Sequence, residues 1–190
     1  ESIRFLLPVF LGFFVSHLCI IVYGIAVHGS ELPSMLHATA QETHQAIHRL
    51  GWVTVAGFLL RAYSLGSGTY TGLEAVSNNV DMLAEPRVKT GKWTMLYMAL
   101  SLSLMAGGMI VLYLLWHVEA EPGMTLNAVT FTAILGGHGV GHLGVVVLMA
   151  FEAGLLFVGA NTGLLGGPAV MSNMAQDQWV PERFATLSSR

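Results

Sequence analysis

Gly66-Ser67-Gly68-Thr69-Tyr70-Thr71-Gly72 cuts an apolar run that starts at Leu50 and resumes with Leu73-Glu74-Ala75-Val76 on its way to Leu83. Each glycine costs a continuous helix about 1 kcal/mol relative to alanine, so Gly66, Gly68 and Gly72 together predict a break. In lipid, unpaired backbone groups survive only where they face protein or a watery cavity. A broken membrane helix is therefore a candidate site: its half-helix ends present N–H groups on one side and carbonyls on the other, suited to ions or a zwitterion. Thr71 adds a hydroxyl and Glu74 a carboxylate three residues on, which puts both on one helical face. Oxygen ligands of this kind suit a hard cation such as an alkali ion. A carboxylate in a low-dielectric setting also holds a proton readily, so the same face suits proton binding. The plainer reading is that the glycines allow close helix packing and that the hydroxyls bond back to their own helix.

Outward from the break, the rest of the chain reads as membrane protein. Hydrophobic residues make up 54% and charged residues 10%, against about 25% charged in a soluble domain. Mean hydropathy is +0.64. About 20 apolar residues cross the hydrocarbon core as a helix. Stretches of that kind lie at 3–27, 93–117 and 140–165, and with the interrupted run at 50–83 they predict four transmembrane helices in one region covering 1–190. The chain starts within an apolar region and carries no targeting peptide, as expected of an internal piece of a longer protein. A net charge of −3 and the lack of a basic run exclude nucleic-acid binding, and Cys19 alone excludes a disulfide framework.

Alternating the spans puts Arg4, Arg87, Lys89, Lys92, Arg183 and Arg190 on one side and leaves Arg49 on the other. By the positive-inside rule the first side is cytoplasmic, and 166–190 is a cytoplasmic tail. The outer connections are 28–49 and 119–139, marked by Pro33 and by Pro122-Gly123, with a short surface helix expected over 38–48. Glu85-Pro86-Arg87-Val88-Lys89 reads as a cytoplasmic turn, Pro86 ending the half-helix before it.

The residues Gly68-Thr69-Tyr70-Thr71-Gly72-Leu73-Glu74-Ala75-Val76-Ser77-Asn78, followed by Glu85-Pro86-Arg87, resemble the sixth helix of amino acid-polyamine-organocation (APC) superfamily permeases. Phe157-Val158-Gly159-Ala160-Asn161-Thr162-Gly163, Gly167-Pro168, Asn173-Met174-Ala175 and Trp179-Val180-Pro181 resemble helix eight and its extension in the KimA-like potassium importers of that superfamily. The resemblance implies an all-α membrane fold, helices five to eight of a five-plus-five inverted-repeat (LeuT-like) transporter. It also implies a homodimer with a further cytoplasmic domain, and a bacterial cytoplasmic membrane as the location. It assigns Thr71 and Glu74 to the potassium and proton path, with Tyr70 and Ser77 beside them. Further family site residues fall on helices one, three and ten, outside this sequence.

Other residues carry weaker signals. His37, His44 and His48 share a helical face, and His138 and His142 repeat the four-residue spacing that can ligate zinc or haem. No cysteine or paired carboxylate completes either set, and no cofactor or metal is expected. Glu152, inside the last span, is a candidate proton relay or a carboxylate paired within the bundle. Arg61 is a candidate gate or a partner for a carboxylate. His17 reads as a helix-packing residue, and the methionines Met95, Met98, Met105 and Met109 as lipid-facing or packing side chains. The function expected is proton-coupled potassium uptake through the lipid bilayer, not catalysis. The alternatives are an APC-type amino-acid permease, a histidine-ligated membrane haem or metal protein, and a purely structural subunit.

Overall fold

A computed structural model describes residues 2–78, 80 and 83–185, leaving aside the side chains of 2–5, 69–71, 75, 78, 162, 165 and 169. The described residues are helical throughout, with no strand among them. In order they form α1 (Ser2–His28), α2 (Leu32–Leu50), α3 (Trp52–Gly66), α4 (Thr71–Asn78), α5 (Arg87–Leu115), α6 (Leu126–Leu135) and α7 (Gly139–Gln176). Tight single turns of 3-10 helix join α1 to α2 at Gly29–Glu31 and α3 to α4 at Ser67–Tyr70, and a third, Glu182–Phe184, follows α7.

Local chemistry sets several of these boundaries. Pro33 lies in the first turn of α2, where its missing N–H is no loss. Gly51 ends that helix at φ +82°, a conformation that side-chain-bearing residues resist, and turns the chain into α3. Thr125 caps α6, its Oγ1 accepting from the Ala128 N–H at 3.2 Å. Gly136, at φ +87°, closes the same helix. Before α5, Arg87 Nε reaches Glu85 Oε1 at 3.1 Å. Both side chains are exposed, so this pair contributes at most about 1 kcal/mol.

The packed core is made by α1, α5, α6 and α7. Ile20 and Ile21 meet Met105, Met109 and Leu112 on one side, and Phe131, Ile134, Val145 and Leu148 on the other. In lipid, burying apolar surface against other apolar surface gains little, so close van der Waals packing must hold such helices together. Glycines supply it. A methyl group on Gly108 would lie 2.8 Å from Ile21, one on Gly24 2.6 Å from Leu112, and one on Gly154 2.8 Å from Val9. The Phe151 ring fills the space over Gly12. Met105 and Met109 are thus packing residues in the core, while Met98 lies against Gly72 of α4.

Three features differ from the sequence-based expectation. First, among the described residues three helical stretches, not four, are long and apolar enough to cross a membrane: Leu6–Leu50, Arg87–Leu115 and Gly139–Gln176. The run at 50–83 yields only α3, 15 residues and so about 22 Å, before the helix gives way after Gly66. Second, 119–139 is more than a loop. Its apolar core Leu-Asn-Ala-Val-Thr-Phe-Thr-Ala-Ile-Leu forms α6, too short to register as a span. Third, α7 continues past Leu165 and through Pro168 to Gln176. Ser172 and Ala175 are buried, and Ser172 Oγ donates to the Ala185 carbonyl at 3.3 Å, so the last turns pack on the segment that folds back after them.

Outside the core, α2 and α3 bury no described residue. The surface helix expected over 38–48 extends to Leu32–Leu50. On α3, Leu59, Leu60 and Leu65 are all more than 60% exposed, so this helix offers apolar surface that none of the described residues covers.

Candidate functional site

The break lies between α3 and α4. Ser67 Oγ donates to the Ser64 carbonyl at 2.7 Å, tightening the exit from α3, and α4 then carries Gly72, Glu74 and Ser77. Gly72 faces α5: a Cβ there would lie 2.9 Å from Met98 Cε, so its small size lets α4 rest on α5. Glu74, two residues on, points away and is exposed, as is Ser77. The side chains of Tyr70 and Thr71 lie outside the described residues. Arg61 is exposed on α3. Gly66 and Gly68 have open space where a side chain would stand.

A second constellation is enclosed in the core. His17 on α1 is 2% exposed and its Nε2 lies 3.1 Å from Glu152 Oε1 on α7, itself 14% exposed. Asn127, in the first turn of α6, donates from Nδ2 to the same Oε1. Tyr113, near the end of α5, donates its hydroxyl proton to Asn127 Oδ1. On the far side of the imidazole, His17 Nδ1 lies 2.9 Å from the Phe13 carbonyl oxygen and 3.3 Å from Ser16 Oγ, whose own proton goes to the same carbonyl at 3.1 Å. The Phe13 ring stands 4.0 Å from the imidazole and the Phe131 ring meets it edge-on at 5.3 Å. One chain of polar contacts therefore joins all four core helices.

These geometries settle how the histidine is protonated at one nitrogen. A carbonyl can only accept, so Nδ1 carries a hydrogen. Nε2 and Glu152 Oε1 then need a single proton between them to make a hydrogen bond. With the proton on nitrogen the pair is imidazolium and carboxylate; with it on oxygen, imidazole and carboxylic acid. Both forms sum to zero charge, which a low-dielectric interior tolerates far better than a lone ion.

Sequence reasoning picked out Glu152 but read His17 as a packing residue and passed over Asn127 and Tyr113. The available signal was that two ionisable residues fall inside predicted spans, where each is costly alone and cheaper as a pair. Asn127 and Tyr113 carried no such signal, because α6 was not recognised.

The remaining candidates do not converge. Among the described residues no group of three or more His, Cys, Asp or Glu side chains could hold a metal ion. The His44 and His48 rings meet edge to face at 4.5 Å on the exposed face of α2, and His138 and His142 are exposed at the start of α7. A cleft of about 570 Å³ between α1 and α7 is lined by Ile20, Leu143, Val147 and Leu148, with Cys19 and Tyr23 at its wall, and offers too few oxygens for a cation.

Among curated proteins, the potassium transporter KimA of Bacillus subtilis (strain 168) is 27% identical over 156 residues, which covers 80% of this chain and 25% of that protein. The chain is similar to a potassium transporter. It spans about a quarter of that relative's length. A match over four fifths of the chain takes in its middle, and with it the break and Glu74. No protein-family profile matches the chain, and no solved structure does. The similarity is to a transporter, and three described helical stretches are long and apolar enough to cross a membrane.

Proposed function

We propose that this chain is part of a secondary transporter that takes up potassium together with protons across a cell membrane by alternating access. The observation that carries the reading is the 27% identity, over four fifths of the chain, to a protein named as a potassium transporter. The break between α3 and α4 supports it. The opposed ends of two half-helices supply carbonyls and N–H groups, and Glu74 with Thr71, Tyr70 and Ser77 supplies oxygen atoms around them. In this reading the chain contributes helices five to eight of an APC-type inverted-repeat fold. The exposed face of α4, carrying Glu74, is completed by helices supplied elsewhere in the longer protein, as are the uncovered faces of α3. Rocking of the two half-helices turns the cation site from one side of the membrane to the other, with no covalent chemistry.

The test is potassium uptake by the full-length parent in cells stripped of their own importers, compared with its Glu74→Gln variant over a range of external pH. Restored uptake in the parent, lost or made pH-independent in the variant, is the expected result. A parent that moves no potassium would sink the proposal and turn attention to amino acids as substrate.

A further inference from the structure

We infer that His17 and Glu152 form a proton-binding site distinct from the helix break, and that the proton held there makes the polar link between α1 and α7. The inference builds on the proposed proton-coupled transport and says where the coupled proton sits. It rests on the count of hydrogens around the pair. His17 Nδ1 is committed to the Phe13 carbonyl, so the 3.1 Å contact between Nε2 and Glu152 Oε1 exists only while one proton lies between them. When that proton leaves, two lone pairs face each other and the contact is lost. The charge of the pair falls from zero to minus one.

The surroundings determine which half lets go. Asn127 Nδ2 donates to Glu152 Oε1 whether the carboxyl is charged or neutral, and favours the carboxylate. Tyr113 holds the amide in that orientation by donating to Oδ1, so an N–H faces the carboxylate. Deprotonation therefore leaves Glu152 bound to α6 and, through Tyr113, to α5, while α1 loses its only polar tie to Glu152 among the described residues. The proton has a way out as well. His17 is 2% exposed, whereas Glu152 is 14% exposed, so the carboxyl group is the more accessible half of the pair.

Among the described residues the titratable groups that face the pair are few. From α5 comes Tyr113, acting through Asn127; from α6 come Asn127 and Phe131, neither of which titrates; from α7 comes Glu152 itself. On α1, Ser16 is the polar neighbour. The protonation of this one pair therefore sets whether α1 keeps its polar tie to Glu152, beside the apolar packing and the Trp116 Nε1 to Gly24 carbonyl hydrogen bond that hold it as well. A cation site that opens and closes by helix movement can be coupled to protons through such a bond.

Infrared difference spectra of the purified full-length parent, taken as pH is stepped, read the site without transport. The expected result is a protonated-carboxyl band that titrates in the parent, disappears in Glu152→Gln, and shifts its midpoint by about one pH unit or more in His17→Gln. Glutamine at 152 keeps the size of the side chain, but one amide atom cannot both donate to Nε2 and accept from Asn127 at the Oε1 position; should that variant fail to fold, the His17→Gln shift decides alone. No titrating band assignable to Glu152, or a midpoint indifferent to His17, would overturn the inference and leave a purely structural brace. In proteoliposomes the same Glu152→Gln variant should pass potassium without moving protons. Unchanged potassium-driven proton movement in it would equally overturn the site. If the band titrates as expected but the parent passes no potassium, the proton pair stands and the transport reading falls, so the two failures are separable.

Discussion

Gly12 shows how a single residue holds two spans together. It sits where α1 crosses α7, and the Phe151 ring occupies the position a side chain would take. Gly12→Ala forces the ring or the helix to move, and overpacking of this kind costs about 1–3 kcal/mol. The expected outcome is a lower thermal midpoint for the full-length parent in detergent, largely restored when Phe151→Leu makes room. A midpoint unaffected by Gly12→Ala would mean that α1 and α7 are not in this contact. The same crossing brings His17 to Glu152, so looser packing should also weaken the polar network. Glycine at such a place could be read from sequence only as a small residue in an apolar run. Which large side chain it accommodates depends on a helix more than 130 residues further along.

At the scale of elements, the break between α3 and α4 separates conformation from packing. A Cβ added at Gly66 or Gly68 would meet open space, so alanine fits at both. Each replacement favours continuous helix by about 1 kcal/mol. Gly66→Ala with Gly68→Ala should leave expression intact or improved, raise the thermal midpoint, and reduce potassium uptake by the parent. Unchanged uptake would show that the break is not needed for transport. Gly72 behaves differently, because Met98 of α5 stands against it and a side chain there would lift α4 off α5. The three glycines look alike in sequence, yet an added side chain would meet open space at two and Met98 at the third. Helix α6 teaches the complementary lesson: its ten residues are apolar with a threonine cap, but a search for spans of about 20 residues passes over it.

On the scale of the whole molecule, Leu6–Leu50, Arg87–Leu115 and Gly139–Gln176 each carry enough apolar length to span. The chain expressed with its parent should therefore remain in the membrane fraction through an alkaline carbonate wash and leave only with detergent; release by the wash would contradict membrane insertion. The apolar faces of α3 and the cleft beside Cys19 are uncovered among the described residues. Composition and the spacing of apolar runs determined the class, an all-helical membrane protein, because each helix satisfies its own backbone and must be apolar over a set length to sit in lipid. They also pointed to the glycine-rich stretch after Leu65 as a place where local backbone preference weakens an α-helix. Only the tertiary structure decided that α6 lies among the spans, that α7 runs on to Gln176, and that His17, Tyr113, Asn127 and Glu152 share one network. Those four residues come from four helices, and the contacts between them depend on how the helices cross, which is set by packing between segments far apart in the chain.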